Sequence, residues 1–209
     1  YNLTDVAWVG RLGSKAVAAV GACGIINWFI DSLSLLTKVA SEVTVGNSVG
    51  SQNISKAKEY ASQNISVSFL MGTLLMFCIM SFTERIVSIF LLEEEVAKMA
   101  VSYLRIVSIS IPFYMISTTM VGVFNGAGNT KIPLYVNATG LILNMLLDPL
   151  LIIAFDMGTD GAAWATMISK IVVYILFIYI VKGRKVLFSD MKFTAKIDLS
   201  IALKIFKLG

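Results

Sequence analysis

Five long apolar runs, over 16–49, 60–82, 96–124, 132–155 and 162–181, dominate this sequence. Each matches or exceeds the ~20 residues a helix needs to cross a ~30 Å hydrocarbon core. The runs are continuous and do not alternate, which selects membrane-spanning helices over a β-barrel. A soluble domain is about a quarter charged; this chain is only 14% charged and 57% hydrophobic, outside the soluble range. The chain has no histidine, which removes imidazole bases, ligands and proton relays. Cys23 and Cys78 sit in separate apolar runs and form no CxxC pair. No nucleophile elbow or metal-ligand cluster is present, so neither an enzyme nor a cofactor is expected. A net charge of +4 in such a chain reports loop orientation rather than nucleic-acid binding.

Residues 3–12 form a helical stretch that rises only about 15 Å. It reads as the tail of a first span, so one partial and five complete spans are expected, and the chain reads as a fragment of a larger membrane protein. The connector 83–95 has an apolar middle and an acidic end, Glu93-Glu94-Glu95, and is expected to lie along the interface. Residues 125–131 form a glycine-rich turn. Over 193–208, Ile197, Ile201 and Ile205 share one face, with Lys192, Lys196 and Lys204 between them. That pattern fits an interfacial amphipathic helix or the approach to a further span.

Loop charge orients the spans. Lys56 and Lys58, Lys131, and Lys182-Arg184-Lys185 follow the second, fourth and sixth helices. The positive-inside rule places these loops in the cytoplasm of a plasma-membrane protein. Arg11 and Lys15 dissent from the outer side.

Ionisable residues within spans are costly and by default functional. Helix rise places Asp5, Tyr103, Asp148 and Thr166, on four different helices, all about 9–12 Å below the outer surface. Asn144 lies one turn deeper than Asp148 on the same face. If these oxygens meet, they suit a hard cation or a proton shared by two carboxylates, which cannot both ionise cheaply. The alternative is that Asp148 and Asn144 only bond to neighbouring helices. Pro149 and Pro112 deprive the carbonyls of Met145 and Ser108 of helix partners, which reads either as bending near the site or as static kinks. On the second helix, Asn27, Asp31, Lys38 and Glu42 share one face, and Lys38 and Glu42 are spaced to pair. That face lines a water-filled cavity or packs on another part of the protein.

Several ordered segments carry a resemblance. They are Asn2-x-x-Asp5 with Gly10-Arg11-Leu12-Gly13 and Ala18-Ala19-Val20-Gly21, then Gly46-x-x-x-Gly50-x-x-Asn53 with Lys56-Ala57. Gly126-x-Gly128-Asn129-Thr130-Lys131-x-Pro133 follows. Asn144-x-x-x-Asp148-Pro149-Leu150-Leu151 precedes Gly158-x-x-Gly161-Ala162-Ala163-x-Ala165-Thr166. In this order the set resembles the multidrug and toxic compound extrusion (MATE) transporters.

The resemblance implies an all-α membrane protein, a six-helix bundle lobe with its first helix truncated, forming one half of a twelve-helix, two-lobe transporter. Residues 1–181 would be the amino-terminal lobe and 182–209 a basic, amphipathic cytoplasmic linker to the second six-helix lobe. It further implies efflux of organic cations and other amphipathic, drug-like compounds in exchange for Na⁺ or H⁺. The cation or proton site would comprise Asp5, Tyr103, Asn144, Asp148 and Thr166, with Na⁺ held by Asp5, Asn144, Asp148 and Thr166. The competing reading is a lipid-linked sugar flippase of the same superfamily, which needs a cationic cavity for pyrophosphate. Against it, the spans hold Lys38 and Arg105 but also Asp5, Asp31, Glu42 and Asp148, a balance wrong for an anion.

Overall fold

The computed structural model describes residues 2–183 together with Asp198 and Ile201. The basic cluster at Arg184 and Lys185, and nearly all of the proposed linker and amphipathic segment, lie outside the described residues. Seven α-helices follow one another: α1 (Asn2–Val9), α2 (Ser14–Gly50), α3 (Ile54–Ser88), α4 (Glu94–Ser108), α5 (Ile111–Gly126), α6 (Lys131–Pro149) and α7 (Gly158–Gly183). A short 3₁₀ turn, Gly10–Leu12, closes α1, and a π-helical turn, Leu150–Ala154, continues α6. Among the described residues there is no strand. α2, α3 and α5 pack together, α4 joins α2, α3 and α7, and α6 lies on α7 and α1.

Beside an apolar core, the surface and the interior each carry what a soluble protein would avoid. Large apolar side chains such as Trp28, Phe29, Leu74, Phe77, Leu146 and Tyr179 are exposed, while Asn64, Ser68, Thr119 and Ser169 are buried. Lipid rewards that arrangement, because apolar surface costs nothing there and each polar side chain must find a partner inside. Many hydroxyls bond back to the preceding turn, as Ser41, Thr44 and Ser48 do along α2. Others cross between helices: Thr119 Oγ1 donates to Thr37 Oγ1 at 2.8 Å, and Asn64 Nδ2 to Thr44 Oγ1 at 3.2 Å.

α2, α3, the α6–π unit and α7 are each long and apolar enough to span a membrane, and α4 and α5 are so only as a pair, bent by 53° at their break. The expected unbroken fourth helix over 96–124 is therefore two helices. The break falls at Ile109 and Ser110, and Pro112 opens α5 in its first turn. There a missing N–H and a fixed φ are tolerated. Pro149 does not break its helix; it hands α6 on to the π turn.

Two other boundaries shift. α3 begins at Ile54 rather than near residue 60, because the Asn53 side chain caps it, accepting from the Lys56 backbone N–H at 3.0 Å. It also continues through 83–88 instead of turning along the interface. The Thr83 hydroxyl bonds the Ile79 carbonyl at 2.6 Å, and Val87 is buried in the same apolar cluster as Val96 and Ala100 of α4. The connector shrinks to 89–93.

The dissenting charges near residue 11 are also placed. The Arg11 guanidinium lies 4.5 Å over the Trp8 ring, and Lys15 pairs with Glu95 of α4.

Candidate cation site among α1, α4, α6 and α7

Asp5 enters the bundle from α1, Tyr103 from α4, Asn144 and Asp148 from α6, and Thr166 from α7. None is more than 2% exposed. Helical spacing puts Asn144 and Asp148 on one face. Gly161 lets α7 start hard against the π turn, since a Cβ there would fall 2.7 Å from the Leu151 backbone. Thr166 follows just over one turn later and points at Asp5.

The geometry is specific. Tyr103 Oη donates to Asp5 Oδ2 at 3.1 Å, and Thr166 Oγ1 donates to the same oxygen at 2.8 Å. Asn144 Nδ2 donates to Asp148 Oδ1 at 3.2 Å. The Asp5 side chain in turn faces Asn144 and Asp148. One oxygen of each carboxylate is left over: Asp5 Oδ1 and Asp148 Oδ2 are buried without a hydrogen-bond partner. A bare carboxylate oxygen away from water is costly. A cation or a proton bound there would relieve both, and the carboxylate, amide and hydroxyl oxygens around it are hard donors. The four side chains placed at one depth, with Asn144 one turn deeper, thus converge. Near them, Ser102 lines a hollow of about 800 Å³ with Lys15, Glu95, Asp156 and Asp160.

The polar stripe on α2 is placed differently. The face that enters the lobe runs through Asn27, Ile30, Ser34, Thr37, Ser41, Thr44 and Ser48. Asn27 lies on it, with its Oδ1 unpartnered. Asp31 and Lys38 are half-buried at its edge, and Glu42 is exposed. Lys38 and Glu42 are not paired with each other; ion pairs among the described residues include Lys15–Glu95, Lys98–Glu94 and Arg105–Glu84. Their backbone carbonyls instead carry the crossing with α5. A Cβ at Gly122 would fall 2.2 Å from the Lys38 oxygen, and one at Gly126 would fall 2.7 Å from that of Glu42.

One ionisable residue escaped the sequence reading. Lys170 sits inside the span 162–181, and counting charges within that run would have found it. Its ammonium lies 4.5 Å from the centroid of the Tyr114 ring. Tyr114 in turn lies against Asp31.

The MatE family model matches residues 1–150. The probable multidrug resistance protein YoeA of Bacillus subtilis is 27% identical over 216 residues, covering 100% of this chain and 47% of that protein. The probable multidrug resistance protein NorM of Thermotoga maritima is 25% identical, covering 88% of this chain and 41% of that protein. Among solved structures, the inward-facing conformation of a multidrug resistance MATE family transporter of the MOP superfamily superposes with a TM-score of 0.93 at 22% identity. It covers 100% of this chain and 48% of that one. At that identity the likeness shows the fold alone. The chain spans about half the length of the curated relatives it matches.

Proposed function

The chain belongs to the MatE family, and from that premise we propose that it forms the amino-terminal lobe of a secondary active multidrug efflux antiporter. Its substrates are organic cations and amphipathic drugs, its coupling ion is Na⁺ or H⁺, and its partner is a second six-helix lobe of the same protein. The coupling ion binds at Asp5 and Asp148, with Asn144, Thr166 and Tyr103 orienting the two carboxylates. The observation that carries this reading is the pair of buried, unpartnered oxygens, Asp5 Oδ1 and Asp148 Oδ2.

In mechanism, the site alternates between holding the ion and losing it. Without a cation, two carboxylates face each other in a dry interior, which is unfavourable unless the helices move or water enters. With a cation, α1, α6 and α7 are drawn together. Exchange follows if drug and ion prefer different arrangements of these helices.

The test is drug export by the full-length protein in proteoliposomes, with Na⁺ and pH gradients imposed separately. One gradient is expected to drive export of a cationic dye, and Asp148→Asn, which keeps the Asn144 contact but loses the charge, is expected to abolish the drive. Normal gradient-driven export by that variant would remove the assignment. Failure of both gradients to move dye would redirect the assay to lipid-linked sugars.

A further inference from the structure

Lys170 is a charged group within a span that the ion site does not use. It lies one helical turn beyond Thr166 on α7, on the same face, and Thr166 bonds Asp5. An ammonium within a span needs compensation. Here it has the Tyr114 ring at 4.5 Å, a cation–π contact, and two carboxylates within electrostatic reach, Asp31 and Asp5. Asp31 also lies against Tyr114. The lysine thus adjoins Tyr114 of α5 and lies within electrostatic reach of Asp31 on α2 and of Asp5 in the ion site. Phe113 and Tyr174, whose rings are 5.2 Å apart, tie α5 to α7 beside Tyr114.

We propose that Lys170 sets the cation affinity of the Asp5–Asp148 site, and that Asp31 and Tyr114 form the dock that holds its ammonium back from that site. This rests on the ion-site reading above. A positive charge one turn away opposes binding of a second positive charge at Asp5 and Asp148. Docking on Tyr114 and Asp31 limits that opposition. The ionisable groups that face this region are Asp5 from α1, Asp31 from α2, Tyr103 from α4, Tyr114 from α5 and Asp148 from α6. Beside these acids and phenols, Lys170 is the group that can carry positive charge, so its removal and the loss of its dock have opposite signs.

The experiment uses the full-length protein in proteoliposomes and ethidium export. It measures the half-saturating concentration of whichever of Na⁺ and H⁺ drives wild-type export. Lys170→Met keeps the apolar stem and removes the charge; it is expected to tighten cation binding by on the order of tenfold. Asp31→Asn is expected to weaken binding, because the lysine is no longer held. The double variant is expected to match Lys170→Met, since Asp31 acts through the lysine. Lys170→Arg, which keeps the charge, is expected to stay near wild type and separates charge from packing; if Lys170→Met does not fold, Lys170→Gln replaces it. Unchanged affinity in Lys170→Met or Lys170→Gln, or shifts of the same sign in the Lys170 and Asp31 variants, would overturn the proposal. Additive shifts in the double variant would overturn the dock. Asp148→Asn is run in parallel. If it abolishes ion dependence while the Lys170 variants match wild type, the lysine's role alone fails; if wild type shows no ion dependence, the ion site fails and this inference with it.

Discussion

Asp5 takes two hydrogen bonds on Oδ2, from Tyr103 and Thr166, and none on Oδ1. That asymmetry fixes the carboxylate while leaving one oxygen free to bind. The two donors are not equivalent in kind: the phenol comes from α4 and the hydroxyl from the first turns of α7. Thr166→Val removes the 2.8 Å bond at nearly constant volume. It is expected to lower the stability of the purified protein by about 0.5–2 kcal/mol, the range found for such bonds between membrane helices. A melting curve in detergent measures this, and an unchanged curve would show that Thr166 does not hold Asp5.

At the level of elements, the helices approach closely where they lack side chains. α5 crosses α2 at Gly122 and Gly126, whose Cβ positions are taken by the backbone oxygens of Lys38 and Glu42. Gly122→Ala is expected to push the helices apart at a cost of about 1–3 kcal/mol. Gly24→Ala, on the same α2 but with nothing within 4 Å of the added carbon, is expected to be neutral or to stabilise by up to about 1 kcal/mol. Equal melting temperatures for the two variants would mean that the α2–α5 crossing does not depend on this contact. The bent α4–α5 span follows from Pro112, which begins a helix readily but cannot continue one.

Across the described residues, many large apolar side chains are exposed and a set of polar side chains is buried beside the apolar core, as a bilayer allows. The loop after α2 and the loop after α3 lie at opposite ends of a helix of 35 residues, about 50 Å apart. The positive-inside rule assigns the first to the cytoplasm. In a cysteine-free background, Gln52→Cys is expected to react with a membrane-impermeant thiol reagent only from the cytoplasmic side, and Leu91→Cys only from outside. The reverse pattern would invert the orientation and, with it, the side from which the coupling ion arrives.

Sequence by itself located the apolar helices, because the length and continuity of an apolar run are local properties that a bilayer reads directly. Helix rise is constant, so the sequence also places the oxygens of Asp5, Tyr103, Asp148 and Thr166 at one depth and Asn144 one turn deeper on the face of Asp148. Helix ends were less legible: the Asn53 cap and the burial of Val87 extend α3 past its apolar run at both ends. Only the tertiary structure decided rotation. Depth says nothing about azimuth, so the contact of Asp5 with Thr166, the shift of the buried stripe on α2 away from Glu42, and the seat of Lys170 on Tyr114 all depend on how neighbouring helices turn toward one another. That turn is set by side-chain packing between segments far apart in the chain, which no single run encodes.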